Sequence, residues 1–177
     1  MAKEKLFFAG SGGQGILLMG KMLSYAAMHE GKEVTFLPSY GAEMRGGTAN
    51  CTVIISDKPI SSPLIQTADA LIAMNLPSMT KFENMVEPGK FLFVNSSIIK
   101  EKPTRNDIQV VSVDANGLAE TLGVPKSANM VMLGAVVRTT KVVKIESIIE
   151  AMEKELTGKK AKFLEGNILA LNSWNPN

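Results

Sequence analysis

The chain has 177 residues, about one domain's length, and its 45% hydrophobic and 20% charged content is that of an ordinary globular protein, not a disordered one. Lys plus Arg total 19 against 17 Asp plus Glu, so a net charge of +2 gives no electrostatic footprint for nucleic acid. One cysteine and one histidine exclude an intrachain disulfide, a cluster or zinc site built only from cysteines, and a two-histidine metal site.

Met1-Ala2-Lys3-Glu4-Lys5 runs straight into Leu6-Phe7-Phe8-Ala9, a short apolar run ending at Gly10 that reads as a buried parallel strand and not as a signal peptide. After Gly10-Ser11-Gly12-Gly13-Gln14-Gly15 the run Ile16–Met28 is too long for a strand and is rich in helix formers, so it reads as a largely buried helix that Gly31 ends. Val34-Thr35-Phe36-Leu37 is the second strand and completes a βαβ unit. A glycine-rich loop from Pro38 to Gly47 follows, then a β-branched strand Asn50–Ser56 and a segment punctuated by Pro59 and Pro63. Ala70–Met74 is a strand ending at Asn75; Ser78 is placed to cap a short helix through Met85; Pro88-Gly89 turns the chain into the strand Phe91–Val94, which ends at Asn95.

A polar stretch around residues 100–107 leads to Val110–Val113, and the remainder reads as helical: Gly117–Leu122, Ala128–Arg138, Lys144–Leu156 and Ala161–Leu171. In the third of these Ile145, Ile148, Ile149, Met152 and Leu156 share a face, and Glu150 is placed to pair with Lys154. The expected architecture is α/β, a three-layer single domain over residues 1–177 with a mainly parallel sheet and a helical C-terminal third. No apolar run approaches the ~20 residues of a membrane span, so the expected setting is cytoplasmic.

Gly10-Ser11-Gly12-Gly13-Gln14-Gly15 matches G-x-G-x-x-G between a strand and a helix. There glycines permit a tight turn and close backbone approach, and free N–H groups at the helix start attract an anion. An NAD site adds an acid at the end of the second strand, but that strand ends Leu37-Pro38-Ser39 without one. The turn therefore reads either as packing geometry or as a site for an anion, a nucleotide-like ligand or a partner's backbone. The loop Ser39-Tyr40-Gly41-Ala42-Glu43-Met44-Arg45-Gly46-Gly47 should leave the second strand on the same sheet edge, where open α/β sheets bind ligands. Arg45 is the only cation between Lys32 and Lys58, and its planar fork suits a phosphate or carboxylate; a Glu43–Arg45 surface pair is the plainer reading. Asn75 and Asn95 each end a strand and either face that edge or cap turns. Cys51 reads as a small buried hydrophobe, His29 as a complement to its helix dipole, and Trp174 as a packing anchor or a subunit contact.

Gly12-Gly13-Gln14-Gly15-Ile16, the loop from Ser39 to Gly47, Ser56 with Pro59-Ile60 and Pro63, Asp69, Ala73-Met74-Asn75, and Pro88-Gly89 with Asn95 resemble, in order, the gamma subunit of 2-oxoacid:ferredoxin oxidoreductases. The resemblance runs through about Val137 and becomes generic in the C-terminal helices. It implies that thiamine diphosphate and the iron–sulfur clusters sit on partner chains and that this domain lies near coenzyme A. The implied partners are alpha, beta and ferredoxin-like delta subunits. It further implies a chain inactive alone, with Gly12, Gly13, Gln14, Gly15, Ser39, Tyr40, Arg45, Gly46, Gly47, Asn75 and Asn95 as the ligand-facing set. Thr48-Ala49-Asn50-Cys51 is more similar to 2-oxoglutarate or branched-chain 2-oxoacid members than to pyruvate ones. Two readings from other classes stand beside it: a stand-alone nucleotide-binding module and a purely structural subunit.

Overall fold

A computed structural model describes residues 3–40 and 48–176, the side chain of Tyr40 excepted. The chain runs through β1 (Glu4–Ser11), α1 (Ile16–His29), β2 (Glu33–Tyr40), β3 (Thr48–Ser56) and β4 (Ala68–Ala73). It continues with α2 (Leu76–Phe82), β5 (Val86–Asn95), β6 (Gln109–Val113), α3 (Ala115–Thr121), α4 (Ala128–Thr140), α5 (Ile145–Glu155) and α6 (Leu164–Ser173). Among the described residues six strands form one sheet in the order β2-β3-β1-β4-β5-β6, parallel from β1 to β6, with β3 antiparallel to both of its neighbours.

The βαβ expectation for the first three elements needs correction. β1 and β2 run in the same direction but do not touch, because β3 lies between them, pairing Phe7 with Thr52 on one side and Leu37 with Thr52 on the other. The segment after β2 is short enough to return the chain antiparallel, and the apolar run of β3 then satisfies both flanking ladders.

α1, α3, α4, α5 and α6 pack one sheet face through the larger core, which gathers Phe8, Met19, Leu23, Val53, Ile72, Met132, Val136, Met152 and Leu171. The opposite face is covered more thinly, by α2 and the loops around it, with Phe7, Leu71, Met79, Leu92 and Ile99 between them. α4 is buried on every side from Ala128 to Val137, which marks it as a central core helix and not a surface one. Trp174 packs against the larger core, so the anchoring reading describes it.

Local details differ from the sequence reading where a distant partner decides. α2 begins at Asn75, whose Oδ1 accepts from Ser78 N at 3.0 Å, so Asn75 and not Ser78 is the cap. Pro88-Gly89 lies inside β5 at a register shift between Ala68 and Ala70 of β4, an irregularity and not a turn ahead of the strand. Glu150 bonds His29 Nδ1 at 2.9 Å, tying α5 to the end of α1 in place of the expected pair with Lys154. No helix of the described residues is long and apolar enough to cross a membrane.

Candidate functional site

The ends of β1, β2, β4, β5 and β6 fall on one sheet edge, and the first helical turns of α1, α2 and α3 begin there. β1 delivers Ser11 to that edge opposite Thr48, and β2 delivers Tyr40 opposite Ala49, so the ends of these two strands flank the start of β3. Ser39 is exposed and pairs with Asn50. Arg45, Gly46 and Gly47 lie outside the described residues.

The glycine turn is built from its own backbone needs. Gly13 has φ 91° and Gly15 φ 72°, conformations that side-chain-bearing residues rarely adopt. Gly15 has a second constraint: a Cβ there would come within about 2.2 Å of Asn129 Nδ2 of α4. Gln14 closes the turn. Its N–H donates to Ser11 O (3.2 Å), its Oε1 accepts from Ser11 N (2.7 Å), and its Nε2 donates to Met74 O beyond β4 (3.0 Å). Asn75 reaches the same turn from the other side, donating from Nδ2 to Ser11 Oγ at 2.5 Å while its Oδ1 caps α2. Both carboxamides are thus engaged in holding β1 and β4 in register at the edge. Gly12 and Gly13 remain exposed.

Asn95 is fully buried at the end of β5; its Nδ2 donates to Asn116 Oδ1 at 2.9 Å, and its Oδ1 has no partner among the described residues. Asn116 sits in the first turn of α3, where Ser97 Oγ accepts from its N–H at 2.9 Å. Between these groups lies a crevice of about 450 Å³ lined by Gly13, Gln14, Met74, Asn116, Lys126 and Asn129. Gly12–Gly15 and Asn75 therefore converge, with Asn95 one residue behind the wall, and the end of β2 stands across β3 from them.

Sequence reading missed Asn116, Lys126 and Asn129. They come from the C-terminal helices, where no motif flags them; the available signal was Pro125-Lys126-Ser127 ahead of an apolar helical run, a helix start carrying a cation. Asn129 Nδ2 donates to Gly15 O at 3.4 Å, which brings the start of α4 against the start of α1.

The electrostatics of the crevice follow from what the helix starts lack. Neither α1 nor α4 has a side-chain cap or an acidic residue in its first turn. Ser127, the residue before α4, instead donates its hydroxyl to Asn167 Oδ1 at 2.7 Å. Lys126 is exposed between the two starts and makes no ion pair among the described residues. Uncapped N–H groups, two positive dipole ends and a lysine favour an anion. Cys51 lies on β3 away from this edge, fully buried, and burial pushes its thiol up to about 12. Among the described residues no group of His, Cys, Asp and Glu could hold a metal ion.

The chain is 35% identical over 166 residues to the ketoisovalerate oxidoreductase subunit VorA of Methanothermobacter thermautotrophicus, covering 93% of this chain and 34% of that protein, so the chain spans about a third of that relative's length. It is 33% identical over 153 residues to the 2-oxoglutarate synthase subunit KorC of Methanocaldococcus jannaschii, covering 85% of this chain and 82% of that one. The crystal structure of a keto/oxoacid ferredoxin oxidoreductase gamma subunit from Geobacter sulfurreducens superposes with a TM-score of 0.83 at 31% identity, covering 96% of this chain and 95% of that one. Residues 5–173 match a single family description, a span that takes in the glycine turn, the β2 loop, both edge asparagines and the helices that complete the crevice, and on that match the chain belongs to the pyruvate ferredoxin/flavodoxin oxidoreductase family.

Proposed function

We propose that this chain is the gamma-type subunit of a thiamine-dependent 2-oxoacid:ferredoxin (acceptor) oxidoreductase that converts a 2-oxoacid and coenzyme A into acyl-CoA, CO₂ and reduced ferredoxin. The substrate reading is 2-oxoglutarate or a branched-chain 2-oxoacid, in keeping with the names of KorC and VorA. Thiamine diphosphate and the iron–sulfur clusters belong to the alpha, beta and ferredoxin-like delta partners, where they supply decarboxylation and electron transfer. This chain's own residues present an anion-binding edge to coenzyme A. The observation that carries the reading is the pair of uncapped helix starts, α1 and α4, meeting beside Lys126 at the glycine turn. A fully ionised phosphate there gains N–H donors that the protein leaves without side-chain partners.

A stand-alone nucleotide-binding module is the second reading, and its NAD form is disfavoured. Its fingerprint needs β2 beside β1 with an acid at its end, whereas β3 separates the two and β2 ends Leu37-Pro38-Ser39-Tyr40. The purely structural subunit draws support from Gln14 and Asn75, whose amides serve the fold.

Substitution in the assembled complex separates ligand contact from interface. Arg45→Ala and Lys126→Ala should each raise the apparent KM for coenzyme A, since a charge-assisted contact of ~1.5–3 kcal/mol corresponds to roughly 10- to 150-fold. Arg45→Lys should recover only part, because lysine lacks the planar fork. The KM for the 2-oxoacid should change much less. If Arg45 serves an interface instead, complex stability and kcat fall together while coenzyme A kinetics stay unchanged; steady-state kinetics with size-exclusion chromatography reads the difference.

A further inference from the structure

The two edges of the sheet are protected unequally. β2 carries Glu33 and Pro38, and a proline offers no N–H to an incoming strand. β6 is Gln109-Val110-Val111-Ser112-Val113, without a charge, a proline or a partner on its outer side among the described residues. Charges, prolines and bulges blunt the edges of most natural sheets, because an open ladder of N–H and C=O groups can pair with another chain. Val111 turns toward the larger core, while Val110 is 43% exposed and Ser112 exposed beside it on the thinly covered face.

A groove of about 570 Å³ runs along that face of β6, with Val94 and Val110 in its floor and Ile99 in its wall. The wall is firmly held. Glu83 accepts from Thr104 N and Oγ1 at 3.0 and 2.7 Å, and Arg105 donates to Val86 O at 2.7 Å while paired with Asp107. Lys100 and Lys102 stand on the rim, where Glu101 is the only carboxylate lining the groove; Lys102 has no ion pair among the described residues. The rim therefore keeps excess positive charge.

We infer that β6 accepts a seventh strand from a partner polypeptide, an extended segment that alternates apolar residues for the groove with carboxylates for Lys100 and Lys102. Main-chain hydrogen bonds along β6 supply affinity, and the groove and lysines supply selectivity. A second copy of this chain is a poorer occupant: two-fold pairing of β6 with itself sets two like-charged lysine rims side by side on one sheet face. The inference rests on the reading of the chain as a subunit.

The test isolates the complex through a tag on this chain and compares hydrogen exchange at residues 109–113 in the complex and in the free chain. The β6 amides that face away from β5 should exchange rapidly in the free chain and slow on assembly, whereas those already bonded to β5 are protected in both. Val110→Lys, at an exposed site, should leave the free chain's melting temperature within about 2 °C, yet weaken assembly at least ~10-fold. Lys100→Glu with Lys102→Glu should weaken it similarly at low salt, with a smaller loss at high salt. A complex whose β6 amides exchange as in the free chain, or a Val110→Lys chain that assembles normally, overturns the seventh strand alone. Normal assembly of the double charge reversal overturns the acidic partner. A free chain that is dimeric and protected at β6 makes a second copy the occupant and overturns the acidic partner too. A tagged chain that recovers no stoichiometric partner overturns the subunit reading and the seventh strand together.

Discussion

Glu30, the residue that ends α1, works as a cap for a helix more than a hundred positions away. α5 has no side-chain cap of its own; Glu30 Oε1 accepts from Lys144 N (2.6 Å) and Ser147 Oγ (2.8 Å), while Oε2 accepts from Lys32 Nζ (2.8 Å). Burial alone pushes the Glu30 carboxyl up, but hydrogen bonds from Lys144, Lys32 and Ser147 outweigh it and hold the group below the ordinary 4.5. A depressed acid stabilises the fold above its unfolded value and loses that contribution as pH falls through the folded value. Glu30→Ala should therefore cost about 1–3 kcal/mol at pH 7 by removing the acceptor of Lys144 N and Ser147 Oγ, while Lys32 keeps Val142 O, and the gap to the parent chain should close as pH drops below about 4.5. Urea titrations of both chains from pH 7 to pH 3 measure it. No sequence pattern could show this cap, since nothing local links Glu30 to Ser147. The same limit applied at the edge: Asn75 and Gln14 were legible as motif residues, but the bonds from Asn75 to Ser11 and from Gln14 to Met74 arise through the sheet, so that structural work was not.

At the scale of elements, α4 and α6 cross with almost no space between them. A Cβ at Gly134 would lie about 2.1 Å from Leu171 O, a backbone atom that cannot swing aside. Gly134→Ala should thus force the helices apart, costing about 1–3 kcal/mol despite alanine's better helix propensity. For a chain of this size that is roughly 2–4 °C per kcal/mol in Tm, which calorimetry resolves; an unchanged Tm would show that α6 yields at no cost. The strands and helices themselves were legible from apolar runs and punctuation, because burial demands local periodicity. Strand order was not. The apolar content of β3 fits a centre or an edge equally well, and only pairing with both β1 and β2 assigned it a place between them. The final helix likewise begins late, after a 3₁₀ stretch over Gly158–Phe163, since three lysines there have no buried face to pack.

For the whole molecule, the purified single chain should show no 2-oxoacid oxidoreductase turnover and take up neither thiamine diphosphate nor an iron–sulfur cluster. A four-cysteine site cannot be made from Cys51 alone, and that thiol is fully buried. Turnover by the chain without partners would refute this. NAD should bind more weakly than ~1 mM by calorimetry, for want of an acid to hold the ribose hydroxyls. The sequence by itself determined the α/β class, the strand–glycine–helix turn and the family, because each rests on residues near one another in the chain or on a motif order that folding does not alter. It also bounded the chemistry, since one cysteine and one histidine limit any site whatever the fold. Only the tertiary structure decided which asparagines face which partners, brought Lys126 and α4 to the glycine turn, and left β6 as the unguarded edge. Those are contacts between segments distant in sequence, and they exist only once the sheet has set the order of its strands.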